Sequence, residues 1–269
     1  TTVYKYSTPA SATTSATYTV GETGYNINSF INYLALPHVI TERQHDYINA
    51  SGTVIPSIVP MLFALYDANT GRSAVVFNGK LYYPAGAQSI IEYDGDTNGW
   101  ASVGPAENAT RLGDFAGQVV ALAADEKWLY AFVDNSSKIE ILRGNAESGK
   151  WAWHSYVEDT MTTVRWAGVS SRTAKRLWYS VGSGTPPSYV PLSTKQGDPI
   201  NDSNITYQTG GTFETGGYTG NTLSETKTFN SVLFSGLGFS AARYVTVEYW
   251  KEGDSAWTNL GTVDNNSEE

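Results

Sequence analysis

Three short aromatic strands recur in this chain at one fixed interval. Leu81-Tyr82-Tyr83, Leu129-Tyr130-Ala131 and Leu177-Trp178-Tyr179 follow one another every 48 residues. Each triplet comes after an apolar strand and a polar turn. These are Val75-Val76-Phe77 with Asn78-Gly79, Val120-Ala121-Leu122 with Asp125-Glu126, and residues 164–169 with Ser171-Arg172. A third strand keeps the register, because Ile91-Glu92 and Ile139-Glu140 are also 48 residues apart. A self-similar unit of roughly 40–50 residues built only from strands is the pattern of a β-propeller blade. The chain is therefore expected to be all-β.

Residues 72–105 form the cleanest unit. Asn78-Gly79 between two apolar runs predicts a hairpin with a type I′ turn, since both residues tolerate positive φ. Residues 117–157 repeat the plan, with a last hairpin turning at Gly144 to Gly149, and a third unit spans 162–193. Tyr33-Leu34-Ala35 lies 48 residues before the first triplet and suggests a fourth, degenerate copy. Residues 1–194 then read as a propeller-like domain of about four blades. After a linker at Lys195 to Pro199, residues 195–269 read as a small antiparallel β-sandwich. Its strands are expected at 205–215, 226–235, 244–251 and 257–263, where Val245, Val247 and Tyr249 alternate with polar neighbours. Four strands bury little area, so this module calls for completion by further sequence or by a partner chain.

Composition narrows the function. The net charge is −9 and no basic run occurs, so binding to nucleic acid or to an anionic membrane surface is not expected. The most apolar stretch, Val54 to Tyr66, is broken by Pro56 and Pro60 and is too short to span a bilayer. The absence of cysteine excludes disulfides, thiolate metal sites and cysteine nucleophiles. It also tilts the expected origin towards microbes or viruses. Six Asn-X-Ser/Thr sequons, at Asn49, Asn108, Asn135, Asn201, Asn204 and Asn265, are of the kind a chain rich in Ser, Thr and Asn contains by chance. The first residues are polar, with no secretory signal, and the start without Met suggests a processed or excised segment.

Few constellations carry chemistry. Asp94, Asp96 and Asn98 stand at alternate positions before Gly99, the spacing of the first half of a calcium loop. The twelfth position is Pro105, where a bidentate Glu would close such a site, and the same residues equally suit a tight β-turn. Ca2+ is thus the one cofactor the sequence admits, and none is required. His38, His45 and His154 show no ligand spacing. There is no G-x-S-x-G elbow and no phosphate-binding loop. Trp151 and Trp153, two apart on one strand, share a face. With Tyr156 they are either propeller core or a platform on which a sugar ring stacks.

Lys80-Leu81-Tyr82-Tyr83, Trp128-Leu129-Tyr130-Ala131 and the strand Ser240 to Tyr249 with its turn Gly253-Asp254-Ser255-Ala256-Trp257-Thr258 resemble virion proteins of tailed bacteriophages. In those proteins propeller-like repeats precede a β-sandwich. The resemblance covers roughly residues 70–263 and implies a structural or adhesive role on a phage particle, as a symmetric oligomer. It brings no catalytic residue. The S-x-D-x-G-x-x-W boxes of sialidase-like propellers are missing; Asp96 to Trp100 and Asp254 to Trp257 only faintly approach them. The expectation is a non-enzymatic, tail-associated virion component. Its expected partners are its own copies, neighbouring virion proteins and a host surface glycan. A carbohydrate-active propeller enzyme and an extracellular carbohydrate-binding module are the alternatives.

Overall fold

In a computed structural model the described residues are 2–6, 14–63, 66–86, 89–105, 117–147, 149–160, 163–182, 185–194, 202–205, 210–212, 232, 239–251 and 253–265. The chain divides into two compact units, Thr1–Gln208 and Thr209–Glu269. The first unit runs past the boundary read at residue 194, for a local reason. The Asp202 carboxylate accepts hydrogen bonds from the Thr194 amide (2.7 Å) and the Ser193 hydroxyl (2.9 Å). The Asn204 amide group donates to the carbonyls of Leu192 and Lys175. This segment is tied to the repeat domain by its own side chains.

The first unit opens with a ribbon, β1 (Thr2–Tyr6) paired with β2 (Thr14–Thr19). Four small antiparallel sheets follow, arranged like the blades of a four-bladed β-propeller. Blade 1 holds β3 (Ile27–Tyr33), β4 (Leu36–Thr41), β5 (His45–Ile48) and β6 (Val54–Ile55). Blade 2 holds β7 (Val75–Phe77), β8 (Lys80–Ala85), β9 (Ser89–Asp94) and β10 (Gly99–Ser102). Blade 3 holds β11 (Gln118–Ala124), β12 (Leu129–Asp134), β13 (Ile139–Glu147) and β14 (Lys150–Asp159). Blade 4 has three described strands, β15 (Ala167–Ser170), β16 (Arg176–Tyr179) and β17 (Ser188–Pro191).

The repeated triplets are the second strands of blades 2, 3 and 4, and their alternation explains the packing. Leu81, Leu129 and Leu177 are all fully buried and point towards the preceding blade. Leu81 joins Tyr33 and Ile40 of blade 1, Leu129 joins Phe77 and Ile90 of blade 2, and Leu177 joins Phe132 and Ile141 of blade 3. The middle residue of each triplet points the other way, as period 2 requires. Tyr82 enters the core shared with blade 3, and Tyr130 enters the core shared with blade 4.

The hairpin at Asn78-Gly79 has the expected positive φ values, 47° and 78°. The degenerate copy read at Tyr33-Leu34-Ala35 is in the wrong register. Leu34 (φ 48°) and Ala35 (φ 61°) are themselves the turn, with Tyr33 paired to Leu36 across it. Blade 1 is a true blade whose turn lacks the Asn or Gly that marks such a turn in sequence.

In the second unit β18 (Val245–Tyr249) pairs antiparallel with β19 (Thr258–Val263). The other sandwich strands, expected at 205–215 and 226–235, lie largely outside the described residues.

Candidate functional site

Trp151 and Trp153 do share a face of β14, with rings stacked at 5.4 Å between centroids. That face is an interior one. Trp151 is 9% exposed and packs against Tyr82 and Phe77 of blade 2 (centroids 5.5 and 6.3 Å). Its indole N–H donates to Glu92 (3.3 Å), and that of Trp153 to the Val103 carbonyl (2.9 Å). A β-bulge opposite Ile141 and Leu142 places Tyr156 between the paired residues Ser155 and Val157. Tyr156 faces the opposite core, with its hydroxyl on the Pro191 carbonyl of blade 4 (3.1 Å). The single platform expected from Trp151, Trp153 and Tyr156 is corrected here: these rings join blade 3 to both its neighbours.

Asp94, Asp96 and Asn98 lie in the tight β9–β10 hairpin. Asp94 Oδ1 accepts the amides of Asp96 (3.0 Å) and Thr97 (3.4 Å). Asn98, at φ 51°, accepts the Tyr93 hydroxyl (3.0 Å). Two of the three proposed ligands thus hold the turn itself. Among the described residues no group of three or more His, Asp or Glu is placed to hold a metal ion.

Two histidines without ligand spacing in sequence are nonetheless brought together. His38 Nδ1 and His45 Nε2 share a hydrogen bond of 2.9 Å between β4 and β5, and His45 Nδ1 meets the Tyr83 hydroxyl at 3.1 Å. Burial pushes the His38 pKa down to about 4. Burial, and then the neighbouring His38, pushes that of His45 well down too. The pair is neutral at ordinary pH and belongs to the core between blades 1 and 2.

A shallow cavity of about 420 Å³ is lined by Glu126, Ser171, Thr173, Lys175, Ser193 and Thr194. Its one cation is already neutralised, since Lys175 Nζ lies 2.9 Å from Asp125 and 2.6 Å from Glu126.

The remaining candidate is the face of blade 4 that looks away from blade 3. Trp178 occupies the repeat position of Tyr82 and Tyr130, yet it enters none of the buried apolar clusters among the described residues. Those clusters join blades 1 and 2, 2 and 3, and 3 and 4, and none joins blade 4 to blade 1. The segment before β7 links to both blades, since the Ala74 amide donates to Ser29 of blade 1 and the Ala167 amide of blade 4 donates to Ser73, both at 3.1 Å. What stays open are the broad faces. On blade 1 Phe30 is 59% exposed; on blade 4 Trp166 is 52% and Tyr189 44% exposed.

Strand register assembles this face. Gly168, Trp178 and Tyr189 are cross-strand neighbours on β15, β16 and β17. Gly168 leaves room for the Trp166 ring, which would lie 3.0 Å from a Cβ at that position. Trp178 and Tyr189 are 4.9 Å apart. Arg176, two residues before Trp178 and so on the same face, lays its guanidinium over Tyr189 at 4.0 Å and near Trp178 at 5.7 Å. The sequence signal was present in the i, i+2 pair Arg176 and Trp178. It was concealed because Trp178 falls on a repeat position that is core in the other blades.

No family model and no curated protein matches the chain. A solved structure described as "Structure of YjhT" aligns at 11% identity with a TM-score of 0.35, over 61% of this chain and 63% of that one. The match thus spans less than two thirds of that protein.

Proposed function

We propose that this chain is a non-enzymatic structural or adhesive protein whose propeller-like domain presents the open aromatic face of blade 4 to a glycan. One observation carries the reading. On one face of a sheet Trp166 and Tyr189 are exposed and Trp178 between them is half-buried, where full burial would be the lower free-energy state. Flat rings of this kind stack on the apolar faces of pyranoses. Neighbouring strands lie about 4.8 Å apart, a spacing comparable to the length of one sugar ring. The carboxylates and histidines brought together elsewhere serve hairpins, ion pairs and cores, which supports binding over hydrolysis.

The setting on a tailed-phage particle rests on the resemblance of the repeats and the closing strand. Its partners there would be other copies of the chain, neighbouring virion proteins and a host surface glycan. The β18–β19 pair supports self-association through its apolar side chains. Its Tyr249, Trp257 and Leu260 are all exposed.

The test is a polysaccharide panel assayed in parallel for retention of the protein and for release of reducing ends. Retention without release, lost in Trp178→Ala, is the expected outcome. Release of reducing ends would place the chain among glycoside hydrolases and end this reading. Light scattering on the same preparation should give a mass that is a multiple of one chain.

A further inference from the structure

We infer that the open face of blade 4 selects a carboxylated, anionic saccharide, with Arg176 as the residue that reads the carboxylate. This inference rests on the glycan-binding reading above and adds the charge of the ligand. The chain is acidic overall, with 26 Asp and Glu against 17 Lys and Arg, so an anionic ligand has to be met by a particular cation and not by a general positive field. Among the described residues no carboxylate forms an ion pair with Arg176, whereas Lys80, Lys138 and Lys175 are all paired.

The geometry of Arg176 fits the role. The guanidinium carbon lies 4.0 Å from the Tyr189 ring centroid, close enough for stacking through its flat face, which would leave the N–H donors free at its rim. No hydrogen bond from those donors is made to the described residues, and none of its nitrogens is buried without a partner. A planar donor fork of this kind matches a carboxylate in two parallel hydrogen bonds. Stacking also removes much of the rotamer freedom that binding would otherwise have to freeze. Arg143 is the internal contrast. It lies over Trp128 (4.9 Å) and Tyr156 (5.2 Å), but its Nε is buried without a partner, so one edge of its donor fork is closed to a ligand.

A sugar ring stacking on Trp166 and Trp178 would bring a ring carboxylate alongside Arg176. Loss of the guanidinium should therefore remove the preference for charged polymers, while loss of Trp178 should weaken binding to all of them. The probes are polygalacturonate, its methyl ester, a neutral galactan and poly-glutamate, titrated against the full chain. Polygalacturonate is expected to bind roughly tenfold tighter than its ester or the galactan, the scale of one charge-assisted contact. Arg176→Gln should erase that difference with an unchanged thermal midpoint, and Arg176→Lys should restore only part of it, lacking the flat fork. Equal binding of ester and acid, untouched by Arg176→Gln, overturns the inference and leaves the glycan reading standing. Poly-glutamate binding as tightly as polygalacturonate also overturns it, since charge alone would then suffice. Binding to none of the four overturns the inference and the glycan reading together. Trp178→Ala keeps the test decisive should Arg176→Gln fold poorly, because weakened binding to every polymer is expected only if this face is the site.

Discussion

Two faces of this molecule carry tryptophans two residues from a partner on one strand, and they meet opposite fates. On β14, Trp151 and Trp153 are covered by blade 2, and both indole N–H groups find acceptors. On blade 4, Trp166 and Trp178 lie on the face of a sheet that no described blade covers. Both faces belong to antiparallel sheets, with Trp151 and Trp153 two apart on β14, Trp178 on β16 and Trp166 just before β15. The difference is whether another sheet follows. In a propeller each blade buries its neighbour's face, so aromatics stay exposed where no described sheet covers them.

The largest effect that could break this comparison is on stability. Trp151→Ala removes a ring packed against Tyr82, Phe77 and Trp153 and leaves Glu92 without that donor. It should cost about 3–5 kcal/mol, the range for large aromatics in a core. Trp166→Ala should cost under about 0.5 kcal/mol, as surface substitutions do. Urea unfolding of the two variants measures both. Similar midpoints would mean that something covers the blade 4 face.

How much of this could be read in advance depends on which interactions are local. The 48-residue interval located Leu81, Leu129 and Leu177, and all three are fully buried. Asn78-Gly79 announced its turn because positive φ is cheap there. Leu34-Ala35 makes an equivalent turn from residues that resist positive φ, held by the sheet around it, and so the copy suggested at Tyr33-Leu34-Ala35 is out of register with its strands. Tyr156 groups with Trp151 and Trp153 as a neighbour in sequence, but the bulge sets it against the opposite core. Asp94, Asp96 and Asn98 suit a calcium loop and a hairpin equally, since both need short oxygen-bearing side chains. Trp178 could not be told from Tyr82 or Tyr130, because its exposure depends on the absence of a sheet far away in sequence.

A second prediction sets the interblade cores against one another. That between blades 1 and 2 adjoins the buried pair His38 and His45, whereas the other two contain no histidine. His38 is depressed to about 4 in the folded chain and sits near 6.5 when unfolded. Between those values the unfolded chain binds the extra proton. The contribution of His38 is therefore fully present above pH 6.5 and lost as pH falls towards 4. Chemical denaturation at a series of pH values should show this slope, and His38→Phe should make it shallower while leaving the part that belongs to His45. Hydrogen exchange at pH 5 should loosen blade 1 before blade 3. A flat profile across this window would mean that the pair is hydrated.

The finest comparison uses one added methyl group on each face. A Cβ at Gly144 would come within 2.5 Å of the Trp153 ring, and a Cβ at Gly168 within 3.0 Å of the Trp166 ring. Neither glycine has positive φ, so alanine at either position brings no backbone strain and tests packing alone. Trp153 is pinned between blades by its bond to Val103 and cannot yield without moving its neighbours. Gly144→Ala should therefore cost about 1–3 kcal/mol, as overpacking does. Trp166 faces solvent and can swing clear, so Gly168→Ala should stay within about 0.5 kcal/mol. Its effect should appear instead in glycan binding, because the displaced ring would no longer lie in register with Trp178 and Tyr189. Were Gly168→Ala to destabilise as strongly as Gly144→Ala, the Trp166 ring would have to be held as firmly as a core residue, and the open face would lose its defining property.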